Sequence, residues 1–212
     1  MIKAILFDLD GTLINSAPVI LKCFNETFEK VFPDIIITEE EKIEFLGPTL
    51  TNTFTQYTDN LGLVDSAIKV FNECSLKEHD DNNVIAFHDA EKLFLELKKQ
   101  NIQIGIVTSK SSNHALLGIE LNGLEKYIDV LVGSDHVVNH KPHPEALIKA
   151  INQLGLTNKE VIYVGDHEND ILAAQAANVV SVGVNYSYRR QQMVASNPDY
   201  MIDKLTDVLK II

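Results

Sequence analysis

Residues 4–13 read AILFDLDGTL, and the fold turns on how this stretch is understood. AILF is a short, unbroken apolar run, the pattern of a strand covered on both faces rather than of a buried helix. Residues two apart on a strand share a face, so Asp8 and Asp10, just past the run, can point into one crevice. Gly11 allows a tight exit from the strand, and the Thr12 hydroxyl can hold a neighbouring carboxylate. Two charges at the end of a buried strand are costly unless they are paired or bind a cation. Open parallel sheets bind their ligands there, outside the carboxyl ends of the strands. By average residue usage, D-x-D-G-T occurs by chance in a chain of this length with a probability on the order of 10⁻³.

Outward from this stretch, four further runs have the same character: IQIGIVT (102–108), IDVLVG (128–133), VIYVG (161–165) and VVSVGV (179–184). Segments with helical spacing lie between most of them: AEKLFLELKKQ (90–100), HALLGIELNG (114–123), PEALIKAINQLG (144–155) and NDILAAQAAN (169–178). Strands alternating with amphipathic helices predict an α/β protein, a Rossmann-like parallel sheet with helices on both faces. Residues 17–79 break the alternation, because APVILKCFNETFEKVF, TEEEKIEFLG, LTNTFTQYTDNLG and VDSAIKVFNECSLKEH all read as helical. This is an inserted all-helical segment, in which Thr38 followed by three glutamates predicts a capping box. The polar stretches INSAP (14–18) and DDNNV (80–84) are the expected crossing points. The expected division is therefore 1–15 with 83–212 as the sheet domain and 16–82 as the inserted helical domain.

The 212 residues and 45% hydrophobic content allow a sizeable core in one domain carrying an insertion. With 18 basic and 30 acidic residues the net charge is −12, which excludes a nucleic-acid binder that relies on a basic face. The two cysteines, Cys23 and Cys74, form no CxxC pattern, so neither a disulfide framework nor a zinc site is expected. A reducing cytoplasm fits. No apolar run is long enough to span a membrane, and the first seven residues do not read as a signal peptide.

A second acidic pair occurs in VIYVGDHEND, where Asp166 ends a strand and Asp170 follows one helical turn later. Hard divalent cations prefer oxygen ligands, and Mg²⁺ usually takes one or two carboxylates besides water and a substrate phosphate; Asp8 and Asp166 can supply them. Helix capping is the alternative for Asp166 and Asp170. IVTSK places Thr108 and Ser109 at a strand end, where hydroxyls and helix-start N–H groups can receive phosphoryl oxygens. HKPHPE places Lys141 before a proline that opens a helix. His136, His140 and His143 cluster around this lysine but match no metal-ligand spacing, and His167 reads as a solvated loop histidine. Arg189 and Arg190 read as surface charges, and the Phe and Leu residues of APVILKCFNETFEKVF as helical core.

Taken in order, FDLDGTL, the Thr of IVTSK, the Lys of KPHPE and GDHEND resemble the four motifs of the haloacid dehalogenase-like phosphohydrolase superfamily. The helical insertion resembles the cap that follows its first motif, and the likeness runs the length of the chain. The resemblance implies that Asp8 is the nucleophile that forms an aspartyl phosphate, and that Asp10 protonates the leaving oxygen and later activates water. It implies Mg²⁺ held by Asp8, the carbonyl of Asp10 and Asp166, with Asp170 in support. The substrate phosphate is then received by Gly11, Thr12, Thr108, Ser109 and Lys141, the last also catalytic.

DGTLINSAP, FLGPTL, TSK and KPHPEAL look most like phosphoglycolate phosphatases and related pyrophosphate-hydrolysing enzymes. A β-phosphoglucomutase-like mutase is the alternative within the superfamily, disfavoured by Thr12 where mutases commonly carry Val. From another class, a non-enzymatic phosphoacceptor module would need neither Asp10 nor an inserted cap. Gly47 and Pro48 read either as a cap loop that closes over substrate or as a plain turn. The implied partner is a small phosphorylated metabolite, with no nucleic acid and no membrane, and the expected state is a monomer, with a cap-mediated dimer as the alternative.

Overall fold

The structure, a computed structural model, describes residues 1–80 and 83–212. In chain order the elements are β1 (Ala4–Phe7), β2 (Ile14–Asn15), α1 (Ala17–Val31), α2 (Glu39–Glu44), α3 (Leu50–Phe54) and α4 (Leu61–Asp80). There follow β3 (Ile85–Ala86), α5 (Ala90–Lys99), β4 (Gln103–Val107), α6 (Ser112–Leu121), β5 (Val130–Val132), α7 (Glu145–Gln153) and β6 (Val161–Gly165). The chain ends with α8 (Glu168–Ala176), β7 (Val180–Val184), α9 (Arg190–Ala195) and β8 (Tyr200–Ile202). It forms two compact units, Met1–Asn15 with Ala86–Ile212, and Ser16–Ile85. Part of the expected crossing stretch, Asp81 and Asn82, lies outside the described residues.

In the first unit six strands form one parallel sheet in the order β5-β4-β1-β6-β7-β8. The α/β architecture is the one the alternation of runs predicts. Every side chain of β1 is fully buried, and period two sorts them: Ala4 and Leu6 join a cluster with Ala146, Leu147 and Ile151 of α7 and Ala173 and Ala174 of α8. On the opposite face, Phe7 meets Phe94 of α5 with ring centroids 5.5 Å apart. Coverage on both faces explains why β1 is continuously apolar instead of alternating. The short strands β2 and β3 pair separately.

The second unit is all-helical. Thr38 and Glu41 form the expected capping box, the Glu41 N–H donating to Thr38 Oγ1 at 3.2 Å and the Thr38 N–H to Glu41 Oε2 at 2.7 Å. Helix α1 buries Val19, Cys23, Phe24 and Phe28 along one stripe, and α4 buries Val64, Ala67, Phe71 and Cys74. Phe24 lies 4.7 Å from Phe45 and 4.8 Å from Phe71, centroid to centroid. One expectation fails here: Cys23 and Cys74 are joined in a disulfide, their Cα atoms 5.5 Å apart. A pair separated by 51 positions has no sequence spacing to announce it; the packing of α1 on α4 brings the two together.

Candidate active site

Register assembles the site. Phe7 of β1 is level with Ile106 of β4 and Val164 of β6, so Asp8, Thr108 and Asp166 leave the sheet within two residues of one another. The Asp8 N–H still donates to the Val164 carbonyl at 2.8 Å, which fixes its position on the sheet edge. Chain order reverses here, since β4 and β5 lie on one side of β1 while β6 and β7 lie on the other. A crevice outside the strand ends opens at such a switch point.

Lys141 crosses this edge. Its Nζ donates to Asp170 Oδ1 at 2.6 Å, Asp8 Oδ1 at 2.8 Å and the Tyr163 hydroxyl at 3.0 Å. Only 6% of its side chain is exposed. Burial alone would pull the Lys141 ammonium down, but the carboxylates of Asp170 and Asp8 outweigh it and hold the pKa well above the ordinary lysine range. The lysine is therefore a fixed positive charge beside Asp8. The proline after it does not open the helix, as the sequence reading expected: α7 starts at Glu145 with Pro144 at its N-cap.

Asp8, Asp166 and Asp170 each bring a carboxylate oxygen within 4.8 Å of the others, the one such acidic or histidine cluster among the described residues. His136, His140 and His143 form none; His136 and His143 instead accept backbone N–H groups of Gly133 and Glu145 through Nδ1. Burial, with added repulsion from Asp170 and Asp10, pushes Asp8 up to about 7 despite Lys141. Burial and the charges of Asp8 and Asp170 likewise hold Asp166 well above the carboxylate range. Crowded carboxylates in this state are short of positive charge, and a divalent cation with a preference for oxygen answers that shortage. The donor set thus fits a hard divalent metal at Asp8 and Asp166.

Asp170 is committed elsewhere, since Oδ1 accepts from Lys141 and Oδ2 from the His167 N–H at 3.0 Å. It positions the lysine and caps α8, so both sequence readings of this residue meet in one side chain. The Thr12 hydroxyl is fully buried and donates to Asp166 Oδ1 at 3.0 Å, so it orients that carboxylate. Gly11 has φ +81°, and a Cβ there would lie 2.3 Å from Asp166 Oδ2; only glycine lets the Asp10–Thr12 turn approach the acid so closely.

The loop after β4 is tied from below. Thr108 Oγ1 accepts the Lys110 N–H at 3.2 Å, which leaves its O–H a donor, and Ser109 is half-buried beside it. Asp135 grips the start of α6 through the Ser112 N–H at 2.7 Å and the Ser112 hydroxyl at 2.6 Å. A Cβ at Gly133 would sit 2.5 Å from the Ser112 nitrogen, so the buttress depends on glycine. Sequence reasoning missed Lys110, whose Nζ donates to Asp10 Oδ1 at 2.9 Å and Oδ2 at 3.2 Å. A cation two positions past Thr108 was the available signal.

Two histidine and arginine readings are overturned. His167 is buried at the N-cap of α8 and accepts the Asn169 N–H at 3.0 Å, and burial lowers its pKa. Arg189 is buried as well and pairs with Glu168 through Nε at 2.9 Å and through Nη2. Arg189, at the start of α9, thus meets the first residue of α8 across 21 positions, a proximity that local sequence does not encode.

Comparison with known proteins agrees with this geometry. The sequence profile of the haloacid dehalogenase-like hydrolases matches residues 5–184. The chain belongs to that family. It is 34% identical to pyrophosphatase PpaX of Listeria monocytogenes over 212 residues, covering all of this chain and 96% of the other. It is 35% identical to pyrophosphatase PpaX of Oceanobacillus iheyensis, covering all of this chain and 97% of that protein. A crystal structure of a predicted phosphoglycolate phosphatase from Haemophilus somnus superposes with a TM-score of 0.87 at 25% identity, over 99% of this chain and 97% of the other. The six-stranded core is the family's sheet, and the chain is a hydrolase.

Proposed function

We propose that the chain is a Mg²⁺-dependent phosphatase of small phosphorylated metabolites that works through an aspartyl phosphate on Asp8. The observation that carries this reading is the placement of Lys141, 2.8 Å from Asp8 and 2.6 Å from Asp170 beside a cluster fit for a metal. An anionic carboxylate approaches an anionic phosphate only where positive charge is fixed in advance. In this reading Asp8 attacks phosphorus in line while Asp10 gives its proton to the leaving oxygen; Asp10 then takes a proton from the water that cleaves the acyl phosphate. Thr108, through its O–H, and Ser109 beside it receive phosphoryl oxygens, and Lys141 neutralises one of them. Asp170 and Tyr163 keep Lys141 in place, and Thr12 and Gly11 set the angle of Asp166. When bound at Asp8, Asp166 and the Asp10 carbonyl, Mg²⁺ supplies the remaining charge that draws the phosphoryl group to the nucleophile.

The relatives named pyrophosphatase and phosphoglycolate phosphatase support a substrate of that kind, and Asp10 supports an ester whose leaving oxygen needs a proton. The reading places the enzyme in the cytoplasm as a monomer with no nucleic-acid or membrane partner; no described helix is long and apolar enough to cross a membrane. The Cys23–Cys74 pair tests the cytoplasmic assignment, because a reducing cytosol keeps such thiols unpaired and an oxidising compartment keeps them bridged. Alkylation of fresh lysate followed by mass measurement decides: two labelled thiols are expected in the cytoplasm.

The decisive assay is Mg²⁺-dependent hydrolysis of p-nitrophenyl phosphate, with 2-phosphoglycolate, pyrophosphate and β-glucose 1-phosphate ranked by kcat/KM. Asp8→Asn is expected to abolish turnover with the fold intact, and undiminished turnover in that variant defeats the nucleophile assignment. Dominant conversion of β-glucose 1-phosphate to glucose 6-phosphate defeats the phosphatase reading in favour of a mutase.

A further inference from the structure

Two lysines reach the carboxyl ends of the central strands, and only Lys141 has a task in the chemistry above. Lys110 spans both oxygens of Asp10, and 16% of its side chain is exposed. Its main chain is held as well: the N–H donates to Thr108 Oγ1 at 3.2 Å, and the carbonyl accepts the Ser134 N–H at 2.9 Å. A surface lysine ordinarily keeps its head solvated and samples several rotamers. This one is fixed over a carboxylate two residues from Asp8.

We infer that Lys110 selects leaving groups that carry a negative charge of their own, a second phosphoryl group or a carboxylate. The inference rests on the reading of Asp10 as the acid at the leaving oxygen. An oxygen that takes the Asp10 proton lies about 3 Å from that carboxyl. The Lys110 ammonium is at a similar distance from both Asp10 oxygens, so a substituent just beyond the leaving oxygen comes within charge-contact range of it. An anionic substituent there is attracted in partly buried surroundings, and a neutral one gains nothing. Lys141 cannot serve this purpose, because its three N–H donors are directed to Asp8, Asp170 and Tyr163. Lys110 contacts Asp10 with two, and among the described residues the third meets no acceptor and is left for the substrate.

The test compares pyrophosphate with p-nitrophenyl phosphate under saturating Mg²⁺. Their leaving oxygens are comparably basic, but only pyrophosphate presents a second anionic group to Lys110. K110M is expected to lower kcat/KM for pyrophosphate about 30-fold, equivalent to about 2 kcal/mol, and for p-nitrophenyl phosphate about threefold or less. K110R, which keeps the charge, is expected to hold the ratio of the two within about fivefold of wild type. Losses in K110M that leave the ratio within about threefold of wild type overturn the inference, since a prop for Asp10 or for the loop would slow both substrates alike. The same collapse of the ratio in K110R also overturns it. K110Q replaces K110M in the comparison if circular dichroism shows the latter unfolded. Failure of the phosphatase reading looks different: wild-type protein with Mg²⁺ turns over neither substrate.

Discussion

The two units are filled with different materials. The sheet unit packs Ala4, Leu6, Val107, Val161 and Ala174 into an aliphatic layer and gathers Asp8, Asp166 and Asp170 at one end of it. The helical unit is built from rings, with Phe24 against Phe45, Phe54 and Phe71 and Phe28 against Phe45 and Phe54, and from the Cys23–Cys74 bridge. Strands in a parallel sheet satisfy each other's backbones, and their small or branched side chains let helices settle closely on both faces. A short helical unit has little interior, so each buried residue must remove more area from water, and a covalent link further limits its unfolded state. The difference teaches that rigidity is placed where charges must be held to a few tenths of an ångström. The smaller unit relies on a few large contributions.

That contrast can be broken most sharply at Phe24. Replacing it with Ala is expected to destabilise the helical unit by about 4 kcal/mol, within the range for buried aromatic truncation. Hydrogen exchange should accelerate in α1 and α4 while β1 and β6 keep their protection; equal acceleration in both units contradicts two separate cores. Next in size is the bridge. Cys23→Ser with Cys74→Ser is expected to cost about 3 kcal/mol, because the 51-position loop regains its unfolded freedom. Thermal unfolding of the helical unit with and without reductant checks this, and a variant as stable as the oxidised protein refutes it.

In the sheet unit the sensitive quantity is charge. Asp8 is held at about 7 in the folded, metal-free protein, above its ordinary 3.8. Between about pH 4 and 7 the native state keeps a proton that the unfolded state has released, so metal-free stability falls as pH rises through that window, by at most about 1.4 kcal/mol per pH unit for one proton. Mg²⁺ takes the proton's place, so the rise in Tm on adding Mg²⁺ is expected to grow across the same window. A Tm gain that does not vary with pH contradicts it. The smallest effect is expected from Tyr163→Phe, which removes a hydroxyl lying 2.9 Å from the Val107 carbonyl and 3.0 Å from Lys141. A stability loss of about 1 kcal/mol with a few-fold drop in kcat is expected, and α1 and α4 should not change.

Much of this was readable in the chain. Five of the six main-sheet strands fall within the apolar runs, because double coverage leaves little polar face to interrupt them. The sixth, Tyr200–Ile202, escaped notice as three residues at a sheet edge after Asn-Pro-Asp. Helix α9 lies in a polar stretch with little apolar pattern to mark it, and the burial of Arg189 at its start is equally unmarked. Residues of the acidic edge were legible because strand ends in a parallel sheet lie side by side whatever their separation in sequence. Lys110 was not, because a lysine after Thr-Ser looks the same whether it faces solvent or Asp10.

The sequence by itself determined the α/β order, the helical insertion and the residues that carry charge to the sheet edge, since all three follow from local periodicity and strand termination. Tertiary structure alone decided the pairings: Lys141 on Asp8 and Asp170, Thr12 on Asp166, Lys110 on Asp10, and Cys23 on Cys74. Each joins positions between 29 and 154 apart in the chain. Local propensity has no reach over such separations. Only the register of the sheet and the packing of helices set which side chains meet, and with them the role each one takes.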